Sequence, residues 1–317
     1  MDTTTLGRTG LTVSVAALGG GGHSRLGQKT GKTRAESIRV VHEALDLGIN
    51  FFDTARTYGT ESLMGEALKG KRQDVVLATK SHVAHNPFSP TDFQYLTAQE
   101  LTDRVDESLR NLRTDYIDIF HMHGVETQHY DACLERIVPV LERLRAAGKV
   151  RFFGLTERFA VDTRHDMLAR AVQDNVWDVM MVGFNMLNPS ARHRVLAETQ
   201  KKGIGTLAMF AVRQALSRPE ALQETLEAAV EAGQLRASDL GDRPLAFLTE
   251  ECGADSLTEA GYRFARHEPG IDVVLTGTGN IEHLRQNVAA IAKPPLPDTC
   301  LARLNSLFGG VDTVSGD

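Results

Sequence analysis

Cysteine, tryptophan and long apolar runs are scarce in this 317-residue chain. The three cysteines, Cys133, Cys252 and Cys300, are odd in number and far apart, so their spacing suggests neither a disulfide framework nor a zinc site with paired ligands. A reducing compartment, the cytoplasm, is the matching expectation. No apolar run approaches the roughly 18 residues of a membrane span, and Met1-Asp-Thr-Thr-Thr-Leu-Gly-Arg lacks the apolar stretch of a signal peptide. Positive charge is not in excess: 35 Lys and Arg against 41 Asp and Glu give a formal net charge of -6, which argues against nucleic acid or an anionic membrane as partner. No low-complexity linker divides the chain, so residues 1–317 read as a single domain. A strand-linked G-x-G-x-x-G fingerprint is also missing, and Gly19-Gly-Gly-Gly22 is not one.

What is present is alternation. Short apolar runs recur between longer segments of helical period, as parallel strand-helix units require. After a small hairpin turning at Gly7-Arg8-Thr9-Gly10, eight strands are predicted: Val13 to Leu18, Phe51-Phe52, Val75 to Thr79, Tyr116 to Met122, Val150 to Leu155, Val179 to Phe184, Gly205 to Phe210 and Val273 to Thr276. Thr33 with Glu36 and Thr97 with Glu100 form Thr-x-x-Glu capping boxes, and behind them Ile38, Val41 and Leu45, then Leu101, Val105, Leu109 and Leu112, recur at helical spacing. Eight strands with crossover helices predict an α/β fold, a (β/α)8 barrel of TIM type, with a doubly wound open sheet as the alternative. Residues 211–268 are long enough for an extra helix, read as Pro219 to Ala232, and Pro294, Pro295 and Pro297 introduce a C-terminal tail.

Polar residues gather at the predicted strand ends, where barrel enzymes place their chemistry. Phe51-Phe52-Asp53 leads into a loop carrying Tyr58, the third strand ends at Lys80, and the fourth ends in His121-Met122-His123. Strand alternation puts His121 and His123 on one face, with His123 nearer the carboxyl end and therefore favoured. His121, His123 and His129 lack a carboxylate at convincing ligand spacing, so no metal is expected.

In this order, Phe-Asp-Thr-Ala, Tyr-Gly-x-x-Glu, a strand-end lysine and a strand-end histidine resemble the aldo-keto reductase family. The resemblance runs from Leu6-Gly-Arg-Thr-Gly-Leu through Phe153-Gly-Leu-Thr to Leu275-Thr-Gly-Thr-Gly-Asn and His283-Leu-Arg-Gln-Asn287. It implies a single barrel and an NAD(P)H-dependent oxidoreductase that interconverts aldehydes or ketones with alcohols. Asp53, Tyr58, Lys80 and His123 would be its catalytic residues: Tyr58 the proton donor, Lys80 lowering the phenol pKa, Asp53 keeping Lys80 charged, and His123 polarising the carbonyl.

The same resemblance implies an extended nicotinamide cofactor, NADP(H) with NAD(H) as the alternative. Gly21 and Gly22 would meet the nicotinamide ribose and Phe210 the ring. Thr156 and Glu157 stand where a Ser-Asn pair usually holds the carboxamide, and Met181 replaces its glutamine partner. Arg213, Gly277, Thr278, Gly279, Asn280, His283, Gln286 and Asn287 complete the cofactor set. A lysine-arginine phosphate clamp is replaced by Gly277 and His283, leaving Arg285 as the nearest cation. His23 and His82, with the loop from Gly124 to Tyr130, would face a small-molecule carbonyl or alcohol substrate, including sugars. An NAD-dependent sugar dehydrogenase and a nicotinamide-binding redox-sensing regulator are the alternatives.

Overall fold

A computed structural model describes all 317 residues. The hairpin pairs β1 (Thr3–Thr5) antiparallel to β2 (Thr12–Ser14). Eight parallel strands then close into a barrel: β3 (Ala16–Gly19), β4 (Phe51–Asp53), β5 (Val76–Ser81), β6 (Ile117–Val125), β7 (Val150–Glu157), β8 (Val179–Gly183), β9 (Gly205–Met209) and β10 (Val273–Thr276), which pairs with both β9 and β3. The run from Val13 to Leu18, read as one strand, is thus divided at Val15 between hairpin and barrel. Periodicity could not mark that break, because both parts are buried.

Alternation along the strands creates two apolar layers. Ala17, Phe51, Val76, Ala78, Ile119 and Leu207 fill the barrel interior, and the hairpin adds Leu6 and Val13 to the same cluster. Leu6 packs closely against Gly205, so the hairpin closes the amino-terminal end of the barrel. Phe52, Leu77, Phe120, Phe153 and Val182 face outward into the layer beneath the helices. The two capping boxes form as predicted, starting the helices Arg34–Asp46 and Ala98–Leu112. The extra helix is Pro219–Glu231, with proline in its first turn, where no backbone donor is needed. The tail begins with another helix, Asp298–Phe308. Its last residues then run back to the barrel, where Asn188 Nδ2 donates to the Val314 carbonyl and Asn185 Nδ2 to that of Ser315.

Cys252 and Cys300 form a disulfide across 48 residues of sequence, leaving Cys133 free and buried. The spacing of the three cysteines suggests no disulfide, and this bond corrects that expectation. Separation along the chain says nothing about distance once Asp298–Phe308 packs back, and the pairing removes the cysteines as an argument for a reducing compartment. No helix is long and apolar enough to cross a membrane.

One buried acid fastens the site-bearing strands from below. Asp118 on β6 is 1 % exposed and accepts from the Leu77 amide at 3.0 Å, Arg72 Nη2 at 2.7 Å and Arg151 Nη1 at 2.6 Å. It thereby joins β5, β6 and β7. Asp118→Ala leaves the buried Leu77 amide and the Arg151 guanidinium without their acceptor and removes one of four from Arg72, and is expected to cost about 3 kcal/mol. Urea unfolding should show a lower midpoint at unchanged slope; an unchanged midpoint would remove Asp118 from this role.

Candidate active site

Asp53 is the last residue of β4, while Lys80 and His123 lie inside β5 and β6, each strand running further than the sequence indicated. Tyr58 arrives from a short turn, Arg56–Tyr58, which Gly59 ends at φ 74, a conformation suited to glycine. The turn is held by Thr54 Oγ1 against Thr60 Oγ1 at 2.7 Å and by Thr60 Oγ1 donating to the Gly20 carbonyl at 3.2 Å. All four side chains therefore converge at the carboxyl ends of neighbouring strands.

Lys80 is the deepest of them, at 1 % exposure. Its ammonium donates to Asp53 Oδ1 at 2.6 Å, Asp53 Oδ2 at 2.5 Å and the Thr54 carbonyl at 2.8 Å, which uses all three protons. Burial pushes the Asp53 carboxyl above its ordinary range, and Lys80 pulls it back. Lys80 Nζ also lies 5.2 Å from the centre of the Tyr58 ring. The phenol is nevertheless raised: burial outweighs the lowering by Lys80, and Asp53 opposes Lys80. The expectation of a lowered phenol therefore gives way to one that stays protonated at neutral pH.

Tyr58 Oη is 3.2 Å from His123 Nε2. His82 stacks on the His123 ring at 4.4 Å and donates from Nδ1 to the His123 carbonyl at 2.8 Å, so it backs His123 from behind. Burial, then His82, Lys80 and His121, hold His123 neutral well below the usual histidine range. His121 is wholly buried, neutral for the same leading reason, with both ring nitrogens unpartnered. Gly154 on β7 makes room for it, because a Cβ there would overlap the imidazole.

These groups open into a cavity of about 310 Å³. Of the residues singled out in the sequence, Gly21, Gly22, Asp53, Tyr58, His123, Thr156, Glu157, Met181, Phe210, Arg213 and Gly277 line it. Gly21 is needed there: a Cβ would come within 2.6 Å of the Tyr58 ring. Thr278, Gly279, Asn280, His283, Gln286 and Asn287 lie outside the lining, along the start of the helix Ile281–Ala292. Asn280 Oδ1 caps that helix through the Glu282 and His283 amides, Asn287 Nδ2 donates to Thr276 Oγ1, and Arg285 is taken up by Glu43 and Glu282. His23 stands at the rim, 3.8 Å from Asp317, and His82 supports His123 from outside the cavity. Phe88, Arg158, Phe159 and Tyr262 also line it and went unrecognised in the sequence. Arg158 and Phe159 directly follow the strand-end Thr156-Glu157, a signal that adjacency alone supplied. A larger cleft of about 940 Å³ beneath the helix Pro219–Glu231 shares no residue with this one.

A closed parallel barrel with titratable groups gathered at its carboxyl end has the build of a barrel enzyme. The chain belongs to the aldo/keto reductase family, whose profile it matches over residues 17–308. It is 28% identical over 301 residues to L-galactose dehydrogenase of Arabidopsis thaliana, covering 91% of this chain and 87% of that one. A 6-dehydroglucose reductase of Novosphingobium aromaticivorans is 35% identical over 163 residues, 48% of this chain and 50% of its own. The holo form of aldo-keto reductase AKR11C1 from Bacillus halodurans superposes with a TM-score of 0.74 at 23% identity, covering 98% and 97% of the two chains, a likeness of fold. The protein is accordingly an NAD(P)-dependent oxidoreductase acting on carbonyl or alcohol groups.

Neutral His121 and His123 have a consequence for stability. Above about pH 6.5 both are neutral whether folded or not; below it only the unfolded chain takes up their protons, so stability falls as pH falls. Denaturant titrations at about pH 7.5 and about pH 5.5 should show the loss, and His121→Gln should reduce it. An equal pH dependence in wild type and variant would mean that His121 contributes nothing to it.

Proposed function

We propose that the chain interconverts an aldehyde or ketone with its alcohol, with Tyr58 as the proton donor. The observation that carries this reading is the approach of Tyr58 Oη to His123 Nε2 at 3.2 Å beside the Lys80 ammonium. In the reductive direction the carbonyl oxygen gains negative charge as its carbon gains hydride. Tyr58, whose raised pKa keeps its proton at neutral pH, transfers that proton to the oxygen. Neutral His123 donates a hydrogen bond from Nε2 to the same oxygen, polarising it first and stabilising the charge afterwards. Lys80 stabilises the Tyr58 phenolate until solvent restores the proton, and Asp53 holds Lys80 charged and in place.

A nicotinamide cofactor, when bound, supplies or accepts the hydride. The residues fit such a group. Gly19, Gly21, Gly22 and Gly277 leave one side of the cavity free of side chains, and Phe210 offers a flat aromatic surface. Thr156, Met181 and Arg213 would meet the same cofactor, with Thr278, Gly279, Asn280, His283, Gln286 and Asn287 beyond the cavity toward its adenosine end. A sugar-like polyhydroxy carbonyl compound is the substrate class supported best. Arg158, His123 and Tyr58 give the lining polar groups, and two relatives carry sugars in their names. Read in the oxidative direction, the same site is that of a sugar dehydrogenase.

The test is cofactor absorbance at neutral pH against a panel of aldoses, aldehydes and ketones with NADPH and NADH, and of alcohols and sugars with the oxidised cofactors. Tyr58→Phe should reduce turnover by about 10²–10⁴-fold while cofactor affinity stays nearly unchanged. Full activity in that variant would overturn the proton donor. Because the oxidative direction needs the phenolate, alcohol oxidation should quicken as pH rises above neutral, whereas reduction should not. Alcohol oxidation that slows over that range would contradict a phenol base.

A further inference from the structure

One wall of the cavity rests on a buried carboxyl–imidazole hydrogen-bonded pair. Glu157 ends β7, and its side chain and that of His165 are both 0% exposed. Glu157 Oε1 accepts the Gly183 amide at 2.7 Å, while the backbone register of β7 and β8 stops at Thr156 and Met181, two residues short of Gly183. The carboxylate continues the strand pairing where the ladder has ended. His165 Nδ1 donates to both carboxylate oxygens, at 2.9 and 3.0 Å, from a left-handed backbone at φ 60, uncommon for any residue other than glycine.

This pair supports an aromatic stack. The His165 ring lies flat on Phe159 at 5.1 Å, Phe159 meets Phe210 edge to face at 5.4 Å, and the Arg213 guanidinium covers Phe210 at 3.8 Å. Gly183 is obligatory beneath it, since a Cβ would fall within the Phe159 ring. Phe210 is itself left-handed, at φ 64, so its orientation is imposed rather than intrinsic. Meanwhile no asparagine or glutamine lines the cavity, Thr156 Oγ1 already accepts the Gly124 amide at 2.7 Å, and Glu157 is already committed to Gly183 and His165.

We propose that Glu157 and His165 are positioning residues that fix the Phe159–Phe210 wall, and that this wall, rather than a side-chain amide, orients the nicotinamide ring. The inference rests on the cofactor reading above. It implies tolerance at the carboxamide: a cofactor bearing an acetyl group in place of the amide loses no side-chain partner at this wall.

The direct test compares dissociation constants of the wild-type protein for NADH and NADPH with those of their 3-acetylpyridine analogues. Values within about threefold are expected; discrimination of about tenfold or more against the analogue would mean that a side chain, Glu157 first among them, reads the amide, and would overturn the proposal. Four variants, checked for folding by circular dichroism, test the stack. His165→Leu and Phe159→Leu should weaken cofactor binding by about tenfold and blur the choice between the two faces of cofactors deuterated at C4. Glu157→Gln, which keeps an acceptor for the Gly183 amide, should do less than Glu157→Leu. Unchanged binding and face selection in folded His165→Leu and Phe159→Leu would overturn the positioning role. The wild-type comparison stands whether or not a variant folds. Failure of wild type to bind either cofactor would overturn the functional reading itself, and the inference with it.

Discussion

The Asp53–Lys80 ion pair is the constraint around which the site is organised. Two opposite charges, one 3 % and the other 1 % exposed, survive in a barrel interior only because each is fully satisfied: the lysine spends its three protons on Asp53 and on the Thr54 carbonyl. Strand register makes the meeting inevitable. Asp53 pairs with Ala78, and Lys80 stands two residues further on, on the same inward face. With the ammonium pinned there, the turn that delivers Tyr58 ends beside a fixed positive charge.

The rest of the fold can be read as support for that arrangement. The hairpin fills one end of the barrel with Leu6 and Val13 and leaves the other end to polar groups. Asp118 joins the three strands β5, β6 and β7 below the site, and the Glu157 carboxylate joins β7 to β8 above it. Pairing by side-chain carboxylates at both ends of the ladder limits how far these strands can slide. Histidines fill the space between: His121 sits opposite Gly154, and His82 backs His123.

Much of this was legible in the sequence, for identifiable reasons. The eight apolar runs, the two Thr-x-x-Glu caps and the proline-led extra helix each have local causes, and local causes survive into the fold. So do the positions of Asp53, Lys80 and His123, because a strand end leaves a polar residue few places to go. What the sequence concealed depends on contacts between distant segments. The division of Val13–Leu18 is invisible where both halves are buried. Cys252 meets Cys300 only because a helix packs back on the barrel. The phenol of Tyr58 is raised by burial, a property of the surroundings that no list of neighbours supplies. His165 lies in a polar loop with no period or motif, and only its contact with Glu157 draws it out.

If the buried pair governs the phenol, removing both charges together should disable proton transfer without leaving an unpaired ion inside the barrel. The double variant Asp53→Asn, Lys80→Met, assayed for folding, for cofactor binding and for carbonyl reduction, is the most direct measurement. The account predicts a folded protein that still binds cofactor and has lost about 10²-fold or more of its turnover. A folded double variant that reduces carbonyls at the wild-type rate would contradict it.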